Sequence, residues 1–288
     1  MRKLTLTLAI AWLSLAFGTA AYASDFTMAE KKLPHGFVQI YDFGDMKLHA
    51  YQTNDLMSDG SFILETGQNL VAIESPAFDA NIAEWQEYAA GLNKPLTDIL
   101  ISYHPAGGKW YGEAKSQATE AAQKAISVGA TKSLTESLGK AFGDGFSTDI
   151  PAIDHIIKAG PNNIGNIQFD IIEAGDGFDV AIPSINVIYT HMLGADTHSI
   201  LAGQEHIDAV LASLEAMKAK NYRLILSSHH KPETQADVDT KIAYIKKVRE
   251  MAAQSKNRED FVSKVKEAYP GYLGQNYLDM TAGYLFNE

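Results

Sequence analysis

Short runs in which β-branched and aromatic residues alternate with polar ones open the chain, and helical spacings follow them. Residues 37–42 (FVQIYD), 46–52 (MKLHAYQ) and 61–65 (SFILE) read as strands, broken at Gly44 and at Asp59-Gly60. Another apolar run, 69–74, stops at Ser75-Pro76. Ile82, Trp85 and Tyr88, three residues apart, predict a helix over 80–92. A strand at 97–103 then enters a glycine-rich loop at 105–108, and an alanine-rich helix is expected over 112–127. The stretch 131–165 reads as one or two helices, turned at Gly143-Asp144-Gly145 and ended at Gly160-Pro161. Three strands follow at 167–173, 178–182 and 185–191. Ile207, Val210, Leu211, Leu214 and Met217 share one face of a helix over 201–219, and 222–228 is a buried strand running into His229-His230. Beyond Pro232 the pattern is helical. Two β-rich parts, each followed by helices, make an α/β or α+β protein whose sheet is covered by helices.

Composition narrows the function more than the fold. With 288 residues, 46% of them hydrophobic, the chain can bury a large core, which excludes disorder as its main state. The 24 basic and 35 acidic side chains leave a formal charge of -11, the wrong sign for a nucleic-acid partner. The absence of Cys removes disulfides, thiolate metal sites and cysteine nucleophiles, so any metal must be held by His and carboxylate. At the N-terminus Arg2 and Lys3 precede an uncharged apolar stretch, 4–17, and Ala21-Tyr22-Ala23 places small residues at a cleavage site. Residues 1–23 are therefore expected to be a signal peptide and 24–288 a single exported domain, periplasmic or secreted. No later run is apolar enough to span a bilayer, and the oligomeric state is left open.

Three histidines stand where strands of a layered protein present their carboxyl ends to a ligand: His104 after LISY, His191 closing VIYT, and His229 after LILSS. Imidazole is the commonest metal ligand, and three protein ligands with an open position make a catalytic zinc site. Among the others, His35 is expected to be solvated, His49 to lie in a strand, and His155 and His206 on helices.

With these landmarks in order, the stretch 37–250 resembles the metallo-β-lactamase superfamily. Two opening hairpins end in a strand that in the family finishes in Asp-x-Gly; here it is VAIESPAF, with Glu74 at or near the Asp place. The family's His-x-His-x-Asp-His loop, commonly followed by Gly-Gly, corresponds to ILISYHPAGG. Its later Gly-His, strand ending in Asp, and strand ending in Gly-His correspond to EAGD (173–176), NVIYTH (186–191) and LILSSHHKP (224–232). The resemblance implies a four-layer αβ/βα sandwich and a metal-dependent hydrolase. Several places differ: Ser102 replaces the first His, Ala106 the Asp and Gly107 the last His, while Asp176 stands at a His place and His191 at the Asp place. Ala106 and Gly107 carry no ligand atoms, so the family's two-metal site cannot be built from this set.

Two readings follow. In one, His104, His191 and His229 hold a single divalent ion, Zn2+, with Asp176 as fourth ligand or general base, and His198 or Asp196 able to replace a ligand. The water it activates would act on an ester, lactone, thioester or amide. In the other, the scaffold binds a small molecule without turning it over, in a cleft lined by Tyr103, His104, Lys109, Trp110, Tyr111 and His229, with His198 nearby. The loop HPAGGKWYG lacks the P-loop spacing, which argues against a nucleotide. A Ser102 nucleophile with His229 as base is a third, weaker route, since no GxSxG elbow is present. Lys241, Lys246, Lys247 and Arg249 read as the solvated face of a helix.

Overall fold

A computed structural model describes residues 26–107 and 110–286. The expected signal peptide, 1–23, and Lys109 of the expected ligand loop lie outside the described residues. The chain begins with β1 (Thr27–Leu33), β2 (Gly36–Asp42), β3 (Lys47–Thr53), β4 (Gly60–Glu65) and β5 (Leu70–Ile73), followed by α1 (Asp79–Gly91). β6 (Leu96–Leu100), β7 (Lys115–Thr119), α2 (Glu120–Val128), α3 (Ala130–Phe142) and β8 (His155–Ile157) complete the first half. The second half runs β9 (Gly160–Ile164), β10 (Ile167–Ala174), β11 (Gly177–Ile182), β12 (Val187–Thr190), α4 (Gln204–Lys220), β13 (Leu224–Ser227) and β14 (His230–Glu233). Three helices, α5 (Gln235–Ala253), α6 (Arg258–Ala268) and α7 (Gln275–Leu285), end it.

The strands form two sheets. β1 to β8 lie in chain order in the first, antiparallel up to β5 and parallel from β5 to β8. The second has the order β14-β13-β12-β11-β10-β9, with β12 and β13 parallel. Strand alternation explains the layers. On β4, Phe62 and Leu64 point between the sheets while Ile63 points out, and on β12 Val187 and Tyr189 point in while Ile188 points out. The inner faces meet in one core that includes Phe62, Phe169, Phe178 and Tyr189. The outer face of the first sheet buries Ile63, Ala72 and Ile99 with Trp85 of α1 and Ile126 of α2. Ile188 and Ile225 of the second sheet pack against α4 to α7 through Leu211, Ile245 and Phe261. Covering both faces makes the central strands almost wholly apolar, at about 2–3 kcal/mol for each large side chain buried. The result is the expected αβ/βα four-layer sandwich. Among the described residues no helix is long and apolar enough to cross a membrane.

Where the structure departs from the sequence reading, polar strands are the cause. The expected helix over 112–127 is a strand, β7, before it becomes α2, and 131–165 holds one helix and two strands. His155 accordingly lies on β8, not on a helix. Lys241 is no solvated lysine: it is buried, and its ammonium donates to the carbonyls of Gly194 and Thr197 at 2.8 and 2.7 Å. Burial pushes its pKa down, to about 8. Its neighbours Lys246, Lys247 and Arg249 do face solvent, paired with Glu215, Glu250 and Asp208.

Candidate metal centre

Parallel pairing brings the candidate ligands to one edge of the sandwich. His191 follows β12 and His229 follows β13, which run side by side in the same direction. His104 follows β6, parallel to β5, so the chain leaving β5 at Glu74 emerges beside it. β4 is antiparallel to β5, so its first residues, and Asp59 just before them, reach the same edge.

The three rings meet there. One nitrogen from each of His104, His191 and His229 lies within 4.8 Å of the others. Ring centroids are 4.6 Å apart for His104 and His229, 5.5 Å for His191 and His229, and 5.7 Å for His104 and His191. Ligands of one zinc ion stand roughly 3.3 Å apart, a spacing that side-chain rotation can reach from here. His191 is the exposed member, so the cluster opens to solvent on its side. Tyr103 stacks on the His191 ring at 4.7 Å, and its hydroxyl donates to Asp179 at 3.2 Å.

Electrostatics favour the neutral, metal-ready form of His104 and His191, but not of His229. Desolvation first, then the neighbouring histidines, hold His104 well below the usual imidazole range. His191 is lowered for the same two reasons. For His229 burial opposes the charged ring, but Asp59 and the Met57 carbonyl outweigh it and raise the pKa. Met57 fixes a tautomer as well: its carbonyl, 3.1 Å from His229 Nδ1, can only accept, so Nδ1 carries the proton and Nε2 the lone pair.

Glu74 holds the His104 loop in place. Fully buried, it accepts from the backbone N–H groups of Ser102, Tyr103 and His104 at 3.2, 2.7 and 3.0 Å, and from the Tyr189 hydroxyl at 2.7 Å. Burial raises its pKa while these donors oppose the rise. Its φ of 59° lies in the left-handed region, so the backbone is strained to aim this carboxylate.

Not every predicted residue joins the cluster. Asp176 sits exposed in the turn between β10 and β11, outside the group of ligand atoms that lie within 4.8 Å of one another. Trp110 and Tyr111 are buried in the outer layer with Trp85 and Ile126, so they do not wall a cleft at the histidines. His198 is buried under the terminal helices, its Nδ1 2.8 Å from the Tyr244 hydroxyl and its ring against Tyr272. Asp196 instead faces His230, 3.0 Å from its Nε2. Ser102 Oγ is no free nucleophile: it donates to the Phe178 carbonyl and accepts from the Phe178 N–H, joining the two sheets.

Packing leaves no room for a ligand side chain at Gly107. Gly107 has φ 69°, and a Cβ there would lie 2.5 Å from the Pro76 carbonyl oxygen and 2.6 Å from Ile82 Cδ1. Gly107→His is therefore expected to cost about 2–4 kcal/mol of stability in urea unfolding and to add no metal equivalent. A mixed-polarity cavity of about 950 Å³ between α1 and the outer face of β2 and β3 takes no part in this centre. Of the titratable groups facing it, His49 is engaged with Tyr88 and Glu65, and Glu65 with Lys94.

Sequence reasoning missed Asp59. Fully buried in the loop before β4, its Oδ1 lies 3.3 Å from His229 Nδ1 and 3.6 Å from His104 Nδ1. Desolvation raises its pKa, with His229 opposing. The available signal was the Asp59-Gly60 break, which reads equally as an ordinary hairpin turn.

No protein-family model and no curated protein matches the sequence. Solved structures do. A metallo-β-lactamase from Erythrobacter litoralis, with β-mercaptoethanol in its active site, superimposes with TM-score 0.53 at 12% identity, over 76% of this chain and 100% of that one. A metallo-β-lactamase family protein from Thermus thermophilus gives 0.58 at 12% identity, over 83% and 91%. The stereoselective inverting sec-alkylsulfatase Pisa1 from Pseudomonas sp. gives 0.54 at 15% identity; the match covers 83% of this chain but only 49% of the sulfatase. Two helix-covered sheets, a cluster of histidines at one edge that can hold a metal, and these superpositions agree: the chain has the metallo-β-lactamase fold.

Proposed function

We propose that the protein is an exported hydrolase that holds one Zn2+ on His104, His191 and His229 and acts on a small ester, lactone, thioester or amide. The convergence of three imidazoles from three separate strand ends carries this reading. Three nitrogen donors suit zinc better than magnesium or calcium, which prefer oxygen. When bound, the ion supplies a Lewis acid and draws the pKa of a water towards 7. The chain's own contributions are positional. His104 and His229 are largely covered, so a substrate carbonyl approaches from the exposed His191 side, past the Tyr103 ring. A purely ligand-binding role has less support, because Trp110 and Tyr111, two of the three aromatic residues that would line its cleft, are packed into the outer layer. Export rests on the pattern of residues 1–23.

The test is zinc loading of the purified chain, dialysis, elemental analysis, and assay against chromogenic esters and thioesters. One zinc per chain with zinc-dependent hydrolysis is expected. A chain that leaves dialysis metal-free sinks the metal reading; a zinc-loaded chain inert to the whole substrate panel sinks the hydrolase.

A further inference from the structure

Among the described residues Asp59 is the one acidic side chain placed against two of the three histidines, and it comes from a loop that the sequence marks only as a turn. Its placement is tightly built. The Thr53 N–H donates to the Asp59 carbonyl at 2.9 Å, and the Gly60 N–H donates to the Ser228 carbonyl, tying the β3–β4 loop to the segment that carries His229. A Cβ at residue 60 would lie 2.5 Å from the Ser227 carbonyl oxygen, so only glycine lets the loop approach this closely. The carboxylate has no solvent exposure, and neither oxygen makes a hydrogen bond of ordinary geometry among the described residues. Such a group is costly to bury unless a cationic or strongly donating partner faces it. The two Nδ1 atoms lie against Oδ1, and the Ala77 backbone also lowers the carboxyl pKa.

We infer that Asp59 is the positioning residue of the metal centre: its carboxylate holds the proton of His104 and His229 on Nδ1 and so presents both Nε2 lone pairs to the ion. The inference rests on the single-zinc reading and extends it by naming the ligating nitrogens and what sets them. For His229 the Met57 carbonyl already imposes the same tautomer, so His104, whose Nδ1 faces Asp59 alone in this respect, is the ring that reports on Asp59. A carboxylate behind a liganding imidazole also makes it more basic, and removal of such a partner typically weakens metal binding about 10–100-fold.

Two variants separate geometry from charge. Asp59→Asn keeps an acceptor oxygen at the same place and removes the charge; Asp59→Ala removes both. Long-range 1H–15N NMR of the metal-free chain above the imidazole titration range reads the tautomers directly, and competition with a chromophoric chelator reads zinc affinity. Thermal melts of both variants establish that each is folded. The expected result is His104 as the Nδ1–H tautomer in the wild type and in Asp59→Asn, and a shift to Nε2–H in Asp59→Ala. Zinc affinity should fall about tenfold or more in Asp59→Asn. An unchanged His104 tautomer in Asp59→Ala, or equal zinc affinity in wild type and Asp59→Asn, overturns the inference. If the wild type takes up no zinc, the single-zinc reading fails, and the tautomer measurement alone decides the role of Asp59.

Discussion

Glu74→Ala should lower the stability of the protein by about 3–5 kcal/mol, seen as a lower urea midpoint with an unchanged slope. The side chain removed is the shared acceptor of three consecutive backbone N–H groups and of the Tyr189 hydroxyl, all in a fully buried place. Each buried donor left without a partner costs about 1–3 kcal/mol. Tyr189 retains Ser228, 2.6 Å away, so the three N–H groups of residues 102–104 bear most of the loss. Alanine keeps a Cβ and so keeps the strain of the 59° φ, and Glu74→Gly, which suits that φ, should therefore be no worse than Ala. Glu74→Gln, with its carbonyl oxygen in the Oε1 place, still accepts from Ser102, Tyr103 and Tyr189 and turns its NH2 only towards the His104 N–H, so it should recover most of the loss. Because the loosened segment carries His104, zinc affinity should fall along with stability. A Glu74→Ala protein as stable as the wild type would mean that the carboxylate does not hold this loop.

The second large effect concerns the ligands themselves. His104→Ala, His191→Ala and His229→Ala should each weaken zinc binding about a hundredfold. Structural zinc sites yield roughly 10–16 kcal/mol over four ligands, or about 3 kcal/mol for each one. The readout is chelator competition at pH 7.5, on variants shown to be folded. Asp176→Asn, in its exposed turn outside the cluster, should leave the affinity unchanged. The three histidine changes should differ in stability. His191 is exposed and costs least to lose, whereas His229 leaves the buried Asp59 carboxylate short of its nearest partner at 3.3 Å. Three variants that bind zinc as the wild type does would show that the ion, wherever it sits, is not held by these rings.

The strands most plainly readable from the sequence are those covered on both sides. β4, β5, β11 and β13 are runs such as SFILE and LILSS in which nearly every residue is buried. The strands that escaped are mainly the edges. β1 and β8 close the first sheet, β14 and β9 the second. β1 is TMAEKKL and almost entirely exposed, while β9 and β14 each contain a proline. Edge strands are blunted by charge and proline against pairing with other chains, which also erases the hydrophobic pattern that would reveal them. β7, next to an edge, buries Ser116, Gln117 and Thr119, and polar residues of that kind carry no strand signal.

Residue order alone determined that this chain folds as helix-covered sheets, that any ion must be met by imidazole and carboxylate, and that three histidines end three apolar strands. Local periodicity reports burial, and strand ends are where burial stops, so those features follow from short-range patterns. The tertiary structure alone decided the partners: that Asp59 stands behind His104 and His229, that Gly107 has no room for a ligand, that Lys241 is buried and that Trp110 belongs to the outer layer. These depend on which loops two packed sheets bring to a common edge, across separations such as the 170 positions between Asp59 and His229. Contacts at that range are set by the packing of the whole core, and no local pattern of residues encodes them.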